Sequence, residues 1–160
     1  MDSLAGGVLF IMGDVLCVVS RRDNRVLAMQ LIYAYETSGH VSFDSLWMDL
    51  VDMLGLAVEQ YDFAKSLACG TLKYLREVDG QIDGMLIRWN FSRLAKVDLA
   101  ILRLAFYEML YCENIPHVVT INEAIELGKQ YSSDDSKRII NGILDQLRKE
   151  KCVSVTSGKS

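Results

Sequence analysis

The sequence predicts an all-α fold, a compact helical domain of about seven helices. Apolar residues recur at spacings of three and four in one segment after another, which is the period of helices with one buried face. Strand-like alternation of apolar and polar residues does not persist over five residues anywhere. One proline among 160 residues and a hydrophobic content of 51% also fit a helical protein. A chain of this length can bury roughly two thirds of its unfolded surface, so stability requires no metal or disulfide.

The first three predicted helices occupy residues 21–36, 44–54 and about 59–78. Ser20 and Ser42 precede the first two, where a side-chain oxygen can accept hydrogen bonds from the free amide groups of a helix start. The core stripe of the first helix consists of Ala28, Leu31, Ile32 and Tyr35. The predicted helix ends are Ser38-Gly39-His40, Gly55 and Asp79-Gly80.

One short and three longer helices are predicted for the rest of the chain. Residues 81–91 are expected to form a short helix or a turn. A helix over 98–112 is apolar on nearly every face, which places it at the centre of the bundle, with Asp98 as its cap. Thr120 and Glu123 have the spacing of a capping box and open the next helix. The last helix is opened by Ser132-Ser133-Asp134-Asp135.

The helical domain is predicted over residues 20–150, between two segments of different character. Residues 1–19 form an apolar leader, and residues 151–160 form a polar tail. Only Asp2 precedes the apolar run, which argues against a signal peptide, and an acid at position 14 argues against a membrane span of about 20 apolar residues. The leader is therefore expected to be poorly ordered or wrongly assigned, or to pack onto the core or a second copy.

Composition argues against an enzyme and against a bound cofactor. The four cysteines form no C-x-x-C pair, and the two histidines lie near no other ligand at helical spacing, so no metal site is predicted. Reduced thiols in a cytoplasmic protein are the simplest interpretation. No serine, cysteine or histidine lies in a nucleophile elbow, a phosphate loop or a metal motif.

Positive charge is concentrated at the start of the first helix. Arg21, Arg22 and Arg25 stand there against one acid, Asp23, whereas residues 41–80 hold seven acids and three bases, and the whole chain carries a net charge of −4. Cations oppose the dipole at a helix start. Nucleic-acid phosphate would offset that charge through guanidinium contacts. The alternative is a solvated helix end with Asp23 as a local partner, and charge alone leaves both open.

Other residues have a functional and a structural interpretation each. Tyr33 lies on the arginine flank and could stack on a base or border the core. Gln30 is predicted on the far side of the helix, as a base-binding or an ordinary surface residue. Ile139 lies off the core stripe of the last helix beside charged residues, which hints at a contact surface. Arg103 and Tyr107 either reach one surface of the central helix or form a buried network.

Several short strings occur in one order between residues 21 and 145. They are Arg21-Arg22-x-x-Arg25, Ala28-x-Gln30-x-x-Tyr33, Val97-Asp98-Leu99-Ala100-Ile101-Leu102-Arg103-Leu104-Ala105-Phe106-Tyr107-Glu108, Ile115-Pro116, Thr120-Ile121-Asn122-Glu123-Ala124-Ile125-Glu126-Leu127 and Asn141-Gly142-Ile143-Leu144-Asp145. In this order and at this spacing, roughly residues 20–149 resemble the NusB family of bacterial transcription antitermination factors.

The resemblance implies two three-helix bundles and a function by assembly rather than chemistry. Members bind boxA RNA, a short single-stranded element in the leaders of ribosomal RNA operons, together with NusE, a small-subunit ribosomal protein. The complex joins the RNA polymerase elongation complex and suppresses premature termination. By resemblance, the RNA-binding residues are Arg21, Arg22, Arg25, Gln30, Asp135 and Ile139. The residues that face NusE are Tyr33, Asp98, Arg103 and Tyr107.

Some positions depart from the family pattern. Asp23 and Asn24 interrupt the arginine cluster, and Ser132 replaces a common glycine. Ile139 stands where an aromatic residue is frequent, so apolar contact replaces base stacking there. These departures predict a heavier dependence on NusE. Three phosphate contacts would give a salt slope of about −2, from roughly −0.7 per phosphate.

Two other functions stay open at this point. NusB-like domains also occur as accessory domains of ribosomal RNA methyltransferases, although this chain ends at Ser160 without a cofactor-binding domain. The third hypothesis is a protein-only helical adaptor or homodimer, in which self-association hides the RNA surface.

Overall fold

The computed structural model describes residues 19–86 and 90–157, and its contacts cluster into two compact units that meet in sequence between Lys73 and Tyr74. Seven α-helices and two short 3-10 turns make up the described residues, which contain no strand. The predicted all-α class with about seven helices is therefore confirmed. Most of the predicted leader lies outside the described residues, as do residues 87–89.

The first unit contains helices α1 (Arg21–Thr37), α2 (Phe43–Leu54) and α3 (Asp62–Lys73), with a 3-10 turn at Val58–Tyr61 before α3. Helix α1 packs against both α2 and α3. Every side chain from Asn24 to Ile32 is buried, so α1 is the central element of its unit. The predicted caps are confirmed at both helices, since Ser20 caps α1 and Ser42 caps α2. Gly55 ends α2 in the left-handed conformation, with φ of 60°.

The second unit contains helices α4 (Leu75–Met85), α5 (Lys96–Tyr111), α6 (His117–Tyr131) and α7 (Asp134–Ser157), with a 3-10 turn at Phe91–Arg93. Helix α5 packs against α4, α6 and α7. Its side chains are buried from Asp98 to Phe106, which confirms the prediction that this helix is apolar because it is enclosed. Helix α7 continues to Ser157, so the segment predicted as a polar tail remains helical beyond Lys151.

The prediction of one helix over residues 59–78 is wrong. A 3-10 turn precedes α3, and the chain leaves helical geometry at Tyr74, where φ is −103° and ψ is 22°. Helix α4 then runs through Asp79-Gly80, the predicted stop. Burial of Val78 and Ile82 on one face of α4 offsets the weak helix preference of that glycine.

Two predicted caps in the second unit are wrong. Helix α5 begins at Lys96 after Ala95, so Asp98 lies within its first turn and its carboxyl group is buried. Helix α6 begins at His117 after Pro116, so Thr120 lies inside the helix rather than at its start. Its buried hydroxyl donates to Glu108 Oε1 at 3.3 Å. In both cases the side chain that the local sequence predicted as a cap forms a hydrogen bond with another helix instead, Asp98 with Ser136 and Thr120 with Glu108.

Replacing Gly128 with alanine is expected to lower the free energy of unfolding by about 1 kcal/mol. A Cβ atom at this position would lie 2.9 Å from Cδ1 of Ile140, which is fully buried between α6 and α7. The cost of overpacking exceeds the gain in helix propensity. Gly142→Ala on α7 is the matched control, because nothing lies near its Cβ position, and it should stabilise. Urea denaturation measures both, and Ile140→Val should remove the penalty of Gly128→Ala.

None of the helices in the described residues combines the length and apolar character that crossing a membrane requires.

Candidate nucleic-acid interface

The start of α1 is fixed by reciprocal hydrogen bonds between Ser20 and Asp23. The Ser20 N–H donates to Asp23 Oδ2 at 3.0 Å, and the Asp23 N–H donates to Ser20 Oγ at 3.0 Å. This capping box places a carboxylate in the first turn, where the helix dipole favours negative charge. The negative charge of Asp23 thereby offsets part of the positive charge of the arginines, and its carboxylate accepts a hydrogen bond from the backbone at the helix start.

Asn24 ties the first turn of α1 to the beginning of α3. Its Nδ2 donates to the carbonyl oxygens of Ser20 at 3.0 Å and Gln60 at 3.1 Å, and its Oδ1 accepts from the N–H of Ala64 at 2.9 Å. The side chain is 4% exposed. Because every hydrogen-bonding atom of this amide has a partner in the protein, Asn24 is a structural anchor at the edge of the arginine cluster.

Arg21 and Arg25 both lie against the ring of Phe63 on α3. The guanidinium carbon of Arg21 is 4.1 Å from the ring centroid, and that of Arg25 is 5.4 Å from it. Both distances fall within the range of cation–π attraction. Arg21 and Arg22 are exposed, whereas Arg25 is only 5% exposed. The predicted cluster therefore presents two arginines to solvent and holds the third inside.

Tyr61 lies buried at the end of the 3-10 turn beside this cluster. Burial raises the pKa of its hydroxyl above the ordinary value of 10.0, and the negative charge of Asp23 raises it further. The folded protein therefore holds this proton to higher pH than the unfolded chain does.

Raising the pH above 10 is expected to remove stability that Tyr61 contributes at neutral pH, because the unfolded chain releases the proton first. As the pH rises above 10, the free energy of unfolding should fall less in Tyr61→Phe than in the wild type, because phenylalanine has no proton to release. Urea denaturation from neutral to alkaline pH measures the difference. Parallel stability curves for the two proteins would contradict this assignment.

Gln30 does not lie on an open surface of α1, contrary to the prediction. It is 4% exposed, and neither its Nε2 nor its Oε1 has a hydrogen-bond partner in the described residues. The prediction was wrong because α1 is buried on nearly all sides, so no solvent-facing side exists at this position. Tyr33, one turn further on, is half-buried and shares the helix with the arginines.

The second unit holds the other predicted contacts, arranged along α5. Arg103 forms a two-pronged ion pair with Asp79 of α4, at 2.7 Å from Nε and 2.8 Å from Nη2. Asp98 accepts a hydrogen bond from Ser136 Oγ of α7 at 2.8 Å, while its Oδ1 is buried without a partner in the described part of the chain. Of the two interpretations given for Arg103, the buried network is the one observed.

Tyr107 belongs to a stack of three aromatic rings. Its ring centroid is 6.4 Å from that of Tyr74 and 5.5 Å from that of Tyr111, and the rings of Tyr74 and Tyr111 are 4.3 Å apart. Tyr107 is half-buried, and Tyr111 is 40% exposed. One edge of α5 therefore offers an aromatic surface with hydroxyl groups, which suits contact with a partner protein.

Asp135 and Ile139 lie four residues apart near the start of α7. Asp135 is exposed and Ile139 is half-buried, so an apolar residue borders an exposed acid there. Ser136, between them in sequence, points inward to Asp98. The predicted residues thus form two groups, one on α1 in the first unit and one on α5 and α7 in the second.

Sequence reasoning missed the residues that hold these groups. They are Phe63, Asp79, Ser136, Tyr74 and Tyr111. All of them except Tyr111, which lies four positions after Tyr107, are distant in sequence from the predicted residue that they contact. Asp79 carried a visible signal, an acid on the helix before an apolar helix containing a lone arginine, but its Asp-Gly pair suggested a helix end instead.

The described residues contain no group of three or more side chains that could hold a metal ion. A family model described as the NusB family matches residues 22–149. The chain belongs to the NusB family. That family consists of non-enzymatic transcription antitermination factors.

Named relatives are similar over most of their length. The transcription antitermination protein NusB of Treponema pallidum (strain Nichols) is 37% identical over 142 residues, covering 86% of this chain and 99% of that protein. The same-named protein of Geobacter sulfurreducens is 40% identical over 128 residues, covering 80% of this chain and 93% of that protein.

Solved NusB structures share the fold. T. maritima NusB matches with a TM-score of 0.75 and 31% identity over 84% of this chain and 94% of its own. A structure of the antitermination factors NusB and NusE in complex with dsRNA matches with a TM-score of 0.73 over 81% of this chain and 96% of its own. Its identity is 21%, so that similarity concerns the fold alone.

Proposed function

We propose that this NusB-family chain binds boxA-type single-stranded RNA of ribosomal RNA operons together with NusE. The observation that carries the proposal is the start of α1, where Arg21 and Arg22 are exposed on a chain with a net charge of −4. Exposed guanidinium groups bind phosphate through paired hydrogen bonds, and such phosphate contacts carry no sequence information. The contribution of this cluster is therefore affinity and placement of the strand.

The buried residues assigned to RNA and NusE act through their exposed neighbours in this proposal. Arg25 adds positive charge beside Arg21, and Gln30 supports α1 from within. Asp135 and Ile139 supply the RNA-facing side of α7. NusE contacts Tyr33 and Tyr107, whose rings are partly exposed. Asp98 and Arg103, buried in the free protein, hold the helices that carry that surface.

The partners of named relatives motivate the wider assembly. One NusB structure with this fold contains NusE and dsRNA. We extend the proposal to a place in the RNA polymerase elongation complex, in the cytoplasm. The chain covers 99% of a relative named as an antitermination protein, which favours this function over an accessory role in a methyltransferase. Self-association remains a separate outcome, and light scattering on the protein with and without residues 1–19 detects it.

Replacing both exposed arginines is expected to weaken RNA binding about tenfold at low salt and to reduce the salt slope by about 1.4, from roughly −0.7 per lost phosphate contact. The variant is Arg21→Gln/Arg22→Gln. Fluorescence anisotropy across a salt series measures binding to a boxA oligonucleotide, a scrambled strand and an RNA duplex, each with and without NusE. The matched control, Arg76→Gln/Lys149→Gln, removes two charges from exposed positions of the second unit and should bind as the wild type does.

A flat salt response of the wild type, or no gain in affinity from NusE, would contradict the proposal. Equal binding of the boxA and scrambled strands in the presence of NusE would contradict its sequence preference. If the RNA duplex binds more tightly than the single strand does, the preferred ligand is double-stranded RNA and the proposal of a single-stranded ligand is wrong.

A further inference from the structure

Phe63 lies between the arginine cluster of α1 and the body of α3. Its ring is half-buried, and two cationic groups lie within 6 Å of its centroid, Arg21 at 4.1 Å and Arg25 at 5.4 Å. The face of an aromatic ring carries negative potential, so it attracts both guanidinium groups. One ring thereby links an exposed arginine and a buried arginine of the same helix.

The backbone around Phe63 is held in place independently of the arginines. Asn24 of α1 accepts from the N–H of Ala64 at 2.9 Å and donates to the carbonyl oxygen of Gln60 at 3.1 Å. These bonds fix the residues on either side of Phe63 relative to the first turn of α1. The distance between the ring and the arginine backbone is therefore set by a buried, fully satisfied amide.

A fixed ring changes what Arg21 must lose when it binds an anion. A long exposed arginine side chain samples many rotamers, and ordering it on binding opposes affinity. Stacking on an aromatic face suits the planar guanidinium and leaves its N–H groups free at the edges to donate to phosphate. The ring therefore restricts Arg21 before the ligand arrives. Arg25 adds positive potential beside the same ring.

We propose that Phe63 is a positioning residue for RNA binding, which orders the Arg21 guanidinium on its ring and so prepares it to contact a backbone phosphate. This inference rests on the proposed function, because the phosphate is that of the bound single strand. Phe63 itself contributes no charge. Replacing Phe63 therefore weakens binding because Arg21 is less ordered before the RNA arrives. The number of phosphate contacts in the complex stays the same.

The test compares Phe63→Leu with Phe63→Tyr in the full chain with NusE. Leucine keeps an apolar side chain but has no aromatic face, whereas tyrosine keeps the face. We expect Phe63→Leu to weaken binding of the boxA oligonucleotide about fivefold at low salt with an unchanged salt slope, and Phe63→Tyr to restore wild-type affinity. Thermal unfolding of both variants shows whether they are folded.

A second readout does not depend on RNA. Nitrogen relaxation of the Arg21 Nε–H group should report restricted motion in the wild type and in Phe63→Tyr, and faster motion in Phe63→Leu. Unchanged Arg21 motion in Phe63→Leu would overturn the positioning role. So would equal losses of affinity in the leucine and tyrosine variants, since that result indicates a purely structural role.

The outcomes separate this inference from the proposed function. In one outcome, RNA binding is weaker in Arg21→Gln/Arg22→Gln but unchanged in folded Phe63→Leu. That result would overturn the role of Phe63 and leave RNA binding by the protein in place. Absence of salt-dependent binding by the wild type would overturn the proposed function and, with it, a role of Phe63 in RNA binding.

Discussion

Asp79→Ala is expected to lower the free energy of unfolding by about 3 kcal/mol, because it leaves a buried guanidinium group without its carboxylate. The Arg103 side chain is 5% exposed, and Asp79 pairs with it through two hydrogen bonds of 2.7 and 2.8 Å. Asp79 itself is 27% exposed. Water can therefore enter beside it, and the expected cost stays near the lower end of that for a broken buried pair. Urea denaturation at neutral pH measures the change.

Two comparisons identify the buried charge as the cause. Asp145→Ala removes an acid that pairs with Arg148 and Lys149 on the surface of α7, and no measurable loss of stability is expected there. Asp79→Leu/Arg103→Met replaces both charges by apolar groups and should recover most of the stability. If the double variant is as unstable as Asp79→Ala, the lost packing of Asp79 rather than the lost ion pair with Arg103 causes the change.

The helical class and the starts of α1 and α2 were predictable because their signals are local. Ser20 and Ser42 cap the helices that follow them, and Gly55 ends α2 in a conformation that glycine adopts without strain. The continuous burial of α5 follows from its lack of a polar face. These features depend on a few neighbouring residues, so the sequence contains them directly.

Features that depend on tertiary contacts were not predictable in this way. The break at Tyr74 coincides with the stacking of its ring on Tyr111, and no residue near position 74 signals it. Thr120 has the sequence pattern of a cap but uses its hydroxyl to contact Glu108. Local propensity describes what these residues favour in isolation, and packing decides among the alternatives.

The candidate site shows the same division. Charge clustering located the arginines at the start of α1, where Arg21 and Arg22 are exposed. It did not show that Arg25 is enclosed beside Phe63, because the ring lies 38 positions further along the chain. Gln30 was placed on the surface from the angle of one stripe, whereas α1 has neighbours on nearly every side. A helical wheel gives directions but not the number of packing partners.

Ser136→Ala is expected to lower the free energy of unfolding by about 2 kcal/mol, because it removes the hydrogen bond to a buried carboxyl group. Ser136 Oγ donates to Asp98 Oδ2 at 2.8 Å, and both residues are nearly inaccessible, at 2% and 3% exposed. Asp98 Oδ1 already lacks a partner in the described residues. The variant therefore leaves this carboxyl group without either of its oxygens bonded, while burial denies it water.

Ser66→Ala on α3 is the matched control, since that serine is exposed on a helix, and it should not destabilise the protein. Asp98→Asn in the Ser136→Ala background should recover part of the loss, because a neutral amide costs less to bury unpaired than a carboxylate does. Chemical denaturation of the wild type, Ser136→Ala, Asp98→Asn and the double variant measures the coupling between the two positions. Additive losses would show that the hydrogen bond between Ser136 and Asp98 is not the cause, and would assign the loss to packing and to the bonds of Ser136 Oγ with Ser132 and Ser133. Coupling would instead show that Asp98, which the family resemblance assigns to the NusE-facing side, first serves to join α5 to α7.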